Sequence, residues 1–130
     1  MSSKKLTVAD LIAQKDQLKN KKQRTQPLFV ESLDSEIVIR EPDPAVAIEA
    51  VEMAQDPEKS SLADAYVVYH TVVEPNLKDG ELQKAYGCAE PTDIVKYIFR
   101  PGEITAISGH ALQLAGYGSG VRKINQDLKN

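Results

Sequence analysis

A single cysteine, two histidines and no tryptophan leave this 130-residue chain short of the side chains from which most reactive centres are built. One cysteine cannot close an internal disulfide, and a four-ligand zinc site draws on several Cys and His side chains. The unbridged thiol predicts a reducing, cytoplasmic compartment. Positive charge is not in excess either: 16 Lys and Arg against 19 Asp and Glu give a net charge of -3. The chain therefore has no overall basic footprint for nucleic acid, and any such binding would be local. No window approaches the roughly 18 consecutive apolar residues of a membrane span. The N-terminal stretch MSSKKLTVADLIAQKD also lacks the apolar segment of a signal peptide. Neither a membrane partner nor export is expected.

What is present is an apolar content of 42%, enough for one ordinary domain that buries roughly two thirds of its unfolded surface. Prolines punctuate it. Thr7 reads as an N-cap with Asp10 in a capping-box position, opening a first helix whose narrow stripe is Val8, Leu11, Ile12 and Leu18, interrupted at Lys15. After the basic run KNKKQR, the segments PLFVESL and SEIVIRE, joined through Asp34 and Ser35, predict a β-hairpin. From Pro42 the apolar period changes from two to about 3.6 residues. Asp43 and Pro44 form an N-cap and N1 pair for a helix with Ala47, Ile48, Ala50, Val51 and Ala54 on one side.

The segment SSLADAYVVYHTVVE follows the helical stripe at Leu62, Ala65, Tyr66, Tyr69, Val72 and Val73, with Val67 and Val68 making it apolar nearly all round. A strand competes, because valine and tyrosine favour one, but a Ser60 or Ser61 cap, the alanines and the length favour a buried helix. Asp79 caps GELQKAYG, which Gly87 ends at positive φ. Pro91 and Thr92 launch TDIVKYIF, and a last helix runs from Pro101 to Gly116 with Ile104, Ile107, Ala111, Leu112 and Ala115 at helical spacing. The expected architecture is α+β, mostly α: an N-terminal helix, a β-hairpin, then about five short helices in one compact domain. That domain spans residues 1–116, its first few residues disordered, and residues 117–130 form a flexible tail.

Five constellations could carry chemistry, and each has a plainer reading. Cys88 as nucleophile, His70 as base and Asp93 or Glu90 as orienting acid would make a small cysteine hydrolase. Nothing local fixes that geometry, and a cysteine after a helix-ending glycine reads more readily as a packed residue. His70 and His110 have no HxxxH, HExxH or CxxC spacing, so no metal and no cofactor are expected. GYGSG follows a helix, where phosphate-cradling loops follow a strand. The carboxylates Glu90, Asp93, Asp79 and Glu81 sit at helix starts and complement the helix dipole. Lys19, Lys21, Lys22 and Arg24 would give weak nucleic-acid binding, yet they occupy a helix C-terminus that favours cations. Protein binding is then the default. Leu11 and Leu18 on the first helix, and Leu82, Tyr86, Ile94 and Tyr97 on the later pair, are the candidate partner-binding side chains, and mutual packing is their alternative use.

The succession TVADLIAQKDQLKNKK, LFVESLDSEIVIREPD, VVEPNLKDGELQKAYGCAEPTDIVKYIFRPGEI and LAGYGSGV resembles the XkdN-like phage tail assembly chaperones of Bacillus prophage elements. The stretch from Val73 to Ile104 is the most characteristic. The resemblance implies a non-enzymatic factor of the bacterial host cytoplasm, absent from the mature virion. Such a factor would bind the tape measure protein and keep it assembly-competent before the tail tube polymerises. It also implies a longer, frameshifted form that recruits tail tube protein, and action in many copies that allows a homo-oligomer. No individual site residue is carried over by it.

Overall fold

The computed structural model of the chain describes residues 4–118 and 120–124. Among these, two short N-terminal helices, α1 (Val8–Ala13) and α2 (Lys15–Lys19), lead into strand β1 (Thr25–Val30). A 3-10 turn at Glu31–Leu33 connects it to β2 (Ser35–Arg40). Five helices follow: α3 (Pro44–Gln55), α4 (Ala63–Thr71), α5 (Gly80–Ala85), α6 (Asp93–Ile98) and α7 (Pro101–Leu114). A third strand, β3 (Val72–Glu74), continues directly from α4. The α+β, mostly α architecture expected from the periodicity is the one observed. The expected disorder of the first residues, and much of the expected tail from 117, lie outside the described residues.

Local chemistry accounts for most element boundaries. The Thr7 hydroxyl accepts from the Asp10 N–H at 3.1 Å, and the Asp10 carboxylate accepts from the Thr7 N–H at 3.1 Å, closing the capping box. The Thr7 N–H first, then the Thr7 hydroxyl and Lys4, hold the Asp10 carboxyl below its usual range. The single helix expected here breaks at Gln14, whose φ of -101° and ψ of 14° separate α1 from α2. Asp34 turns the hairpin in the left-handed region, φ 48°, which a short polar side chain tolerates better than most. Pro44 opens α3 as expected, but the Asp43 carboxylate does not cap it. It accepts instead from Gln23 Nε2 at 2.6 Å and Arg40 Nη1 at 3.2 Å. Glu103 reaches back to the Arg100 N–H at 2.9 Å and fixes the start of α7 behind Pro101.

Two helices end in the same way. Gly87, at φ 64°, donates its N–H to the Lys84 carbonyl, and Cys88 donates to Gln83; Gly116, at φ 94°, donates to Gln113, and Tyr117 to Leu112. Each is a Schellman motif, with glycine at the one position that requires positive φ. In the first, Cys88 is the residue just beyond the glycine, a position that usually turns an apolar side chain back onto the helix. Its half-buried thiol packs against the core.

The sheet has the order β1-β2-β3 and is antiparallel throughout. Thr25 faces Arg40 and Val30 faces Ser35, so Leu28 and Ile37 share the inner face while Phe29 and Glu36 share the outer one. Arg24 exchanges with Glu41 at the open end of the hairpin, its carbonyl accepting from the Glu41 N–H at 2.8 Å. Alternation then directs the backbone groups of Thr25, Pro27 and Phe29 to the free edge. Proline at the middle of that row removes a donor and blunts the edge against further pairing.

The core lies between the inner face of this sheet and α4, α6 and α7. Ile39, Val68, Leu77, Ile94 and Ala111 are each 0% exposed. Each of the larger of these, Ile39, Val68, Leu77 and Ile94, contributes roughly 1.5–3 kcal/mol relative to exposure. α4 is the hub, packed against α3, α6 and α7.

Two expectations are corrected here. The helical segment stops at Thr71, and Val72 pairs with Ile39 as strand, so the competing strand reading holds for its last three residues. On α3 the buried residues are Val46, Ala47 and Ala50, whereas Ile48 and Val51 are 58% and 47% exposed. The apolar band of that helix is wider than the face that α4 can cover.

Candidate partner-binding surface

The six side chains expected to meet a partner fall into three environments. Leu11 and Leu18 are exposed on α1 and α2, which bury no residue and pack appreciably only on each other. Tyr86 and Tyr97 are each 49% exposed. Leu82 is half buried against the core. Ile94 is fully buried, so it holds α6 in place and cannot touch a partner in this fold. The apolar face of a six-residue helix is narrow, and α6 turns Ile94 and Val95 inward.

The two tyrosines converge. Their rings stack with centroids 6.2 Å apart and planes 21° from parallel, and Lys96 Nζ lies 5.7 Å from the Tyr97 ring. This offset geometry is the one aromatic quadrupoles prefer. The helices that carry them are registered by Gln83, whose Nε2 donates at 2.9 Å both to the Leu77 carbonyl before α5 and to the Pro91 carbonyl before α6. Asp79 caps α5 by accepting from the Leu82 N–H at 3.0 Å, and Asp93 accepts from the Glu90 N–H at 3.0 Å. Gln83 carried no sequence signal. A glutamine inside a helix shows its long-range partners only when the chain has folded around it.

The hydrolase constellation is taken apart by the same contacts. Asp93 and Glu90 are engaged with each other's turn, and Asp93 pairs with Lys96 at 3.7 Å. His70 belongs to a different cluster. Its Nδ1 accepts from Lys78 Nζ at 3.4 Å, and its ring packs edge-on against Tyr66 and Tyr69 at 4.6 and 5.1 Å. Burial, followed by the nearby Lys78 and Arg40 cations, pushes its pKa down, while Asp43 pulls weakly upward. Among the described residues no hydrogen bond joins Cys88 to His70, and no group of three or more His, Cys, Asp or Glu converges as a metal cage. Nor is any described helix long and apolar enough to cross a membrane.

The basic run has structural work of its own. Lys21 Nζ donates to the Leu18 carbonyl at 2.7 Å at the end of α2, and Arg24 Nη1 donates to the Leu114 carbonyl at 3.3 Å at the end of α7. Cations at these positions satisfy orphan carbonyls and oppose the helix dipole. An open cleft of about 880 Å³ forms where this segment crosses α7, walled by Pro42, Ala47, Leu114 and Tyr117. Sequence reading missed the exposed apolar side chains Phe29, Ile48, Val51 and Leu62. Each lies in a pattern that predicts an element but not which side of it the fold will cover.

Residues 55–129 match the model of a family described as phage XkdN-like tail assembly chaperone protein. The matched region is more than half of the chain, and it begins at the last residue of α3 and takes in α4, β3, α5, α6 and α7. No curated protein and no solved structure matches the chain. The Schellman turn at Gly87, the Gln83 clasp and the Tyr86–Tyr97 stack all lie within the matched region. The chain belongs to the XkdN-like family of phage tail assembly chaperones.

Proposed function

We propose that this chain acts without catalysis, binding the tape measure protein in the host cytoplasm and keeping it assembly-competent until the tail tube polymerises around it. The reading rests on the family match over residues 55–129. It is supported by the Tyr86–Tyr97 pair, which presents two half-exposed rings on a clasped, rigid pair of helices. An elongated helical target with exposed apolar stripes aggregates until something covers them. Many copies of a small domain cover such a target by avidity while each contact stays weak enough for tube subunits to displace. Leu11, Leu18, Leu82, Tyr86 and Tyr97 would supply apolar contacts, and a longer form extending the chain beyond Gly116 would recruit tail tube protein. The chaperone would then be released, leaving it outside the mature virion.

Co-expression with the long helical protein encoded in the same tail operon tests this. The expected result is that the long protein becomes soluble and co-purifies with the chain. A long protein that stays insoluble and unbound would refute it. Mass spectrometry showing one product of a single length would remove the longer form from the account.

A further inference from the structure

Charge is divided unevenly along this chain. Residues 4–22 carry six lysines against Asp10 and Asp16, a local net charge of +4. The stretch from Ala45 to Asp64, which holds most of α3 and the 3-10 turn Ser60–Leu62, carries five carboxylates against Lys59, a net of -4. Among the described residues the only ion pair of the basic segment is internal, Lys4 with Asp10 at 3.5 Å, and none of those five carboxylates has a cationic partner.

Both surfaces also carry apolar side chains that no described residue covers. On the basic segment Val8, Leu11 and Ile12 stand at i, i+3 and i+4 on one side of α1 and are 73%, 44% and 68% exposed. On the acidic surface Ile48 and Val51 are one turn apart on the outer side of α3, and Leu62, 56% exposed, sits in the 3-10 turn that packs against α3. The outer side of α3 spans about 18 Å at 1.5 Å per residue, room for α1 at about 9 Å and α2 at about 7.5 Å on either side of the break at Gln14. Among the described residues the basic segment is fastened to its own domain where it ends, through Gln23 on Asp43 and Arg24 on Glu41 and the Leu114 carbonyl. Beyond that fastening it makes no substantial contact with its own α3.

We propose that this basic, apolar arm docks along the acidic, apolar outer face of α3 and Leu62 in a second copy of the chain. The arm fits a partner of negative charge with an uncovered apolar stripe, and the molecule itself displays one on α3. If each molecule of a pair gives its arm to the other, the assembly closes as a dimer; if arms are passed one way, it grows as a chain. Either assembly leaves Tyr86 and Tyr97, on a separate pair of helices, outside the arm contact as defined. Apolar contact and opposed charge hold the arm together, neither being sufficient alone, and the charged part weakens with salt.

Sedimentation velocity on the full chain tests this. The average mass of the wild type should rise above the 14.3 kDa monomer with concentration at low salt, and return toward it at about 0.5 M salt, where the Debye length shrinks to a few ångströms. The surface variants Lys15→Glu/Lys19→Glu on the arm and Glu49→Lys/Glu52→Lys on α3 should each be monomeric alone. Mixed together they should associate again, because each arm then meets a face of opposite sign. A wild type that stays monomeric at every concentration, variants that associate unchanged, or a mixture that fails to associate overturns the proposal. If the wild type is monomeric and the arm reversal abolishes co-purification of the long tail protein, the arm belongs to that foreign partner instead, and the self-association reading falls while the chaperone reading stands.

Discussion

Tyr86 and Tyr97 stack their rings 6.2 Å apart at 21° while each keeps about half of its surface in solvent. Aromatic side chains of this kind supply large contact area at low entropic cost, and they are enriched among the residues that dominate interfaces. Replacing both with alanine should weaken capture of the long tail protein by about tenfold or more, the usual effect of removing an aromatic anchor. The thermal midpoint should change little, because neither ring is in the core. Unchanged capture in a pull-down titration would remove these rings from the binding surface.

The Gln83 amide joins two turns that share no other side-chain bond of this length. Gln83→Ala leaves the Leu77 and Pro91 carbonyls without that donor, at a cost of roughly 1–2 kcal/mol. Faster hydrogen exchange should appear between residues 77 and 95. A variant with wild-type denaturation midpoint and exchange pattern would show that water replaces the amide without loss.

His70 sets a pH dependence whose sign follows from its neighbours. Burial and the Lys78 and Arg40 cations hold its folded pKa below the ordinary 6.5. Below 6.5 the unfolded chain takes up a proton that the folded chain resists, so the unfolded state binds more protons and stability falls as pH drops. Above 6.5 the group is neutral in both states and contributes no slope. His70→Gln should flatten the loss of urea midpoint as pH falls below about 6.5. An identical slope in wild type and variant would assign the acid sensitivity to carboxylates such as Asp43, whose folded pKa is lowered first by its bond to Arg40 and which acts in a more acidic window.

Ser108 is fully buried on α7, and its hydroxyl has no hydrogen-bond partner among the described residues. Burying a polar group without a partner is unfavourable, so Ser108→Ala should be neutral or stabilising by up to about 1 kcal/mol in a denaturation measurement. A loss above about 1 kcal/mol would mean that the hydroxyl is bonded in solution.

The fold was legible at many boundaries that depend on neighbours in sequence, though not at Asp43, whose carboxylate leaves α3 uncapped, nor at Ser60 and Ser61, since α4 starts after Leu62. Thr7 with Asp10, Asp79 with Leu82, Pro44, Pro101 and Gly87 act through bonds or dihedral limits within about one helical turn, and all five stand where local chemistry puts them. The hairpin was legible too, from alternation and from Asp34. The candidate surface was less so. Four of its six side chains are exposed, but Leu82 is half buried and Ile94 is wholly buried, because a short apolar stripe does not say which of its residues the neighbouring helix will reach.

What the sequence determined alone is therefore most of the elements, several of their caps and the family resemblance, since each rests on short-range bonding or on the order of residues. What tertiary structure decided is which side of each element is covered. Val72 and Val73 extend a helical pattern, yet β2 offers open backbone groups, and Val72 pairs with Ile39 as strand. Ile48 and Val51 belong to the apolar band of α3, yet α4 packs on Val46, Ala47 and Ala50 and leaves them to solvent. Periodicity ranks residues by hydrophobicity along one element, whereas burial depends on a second element whose position is set by all the others.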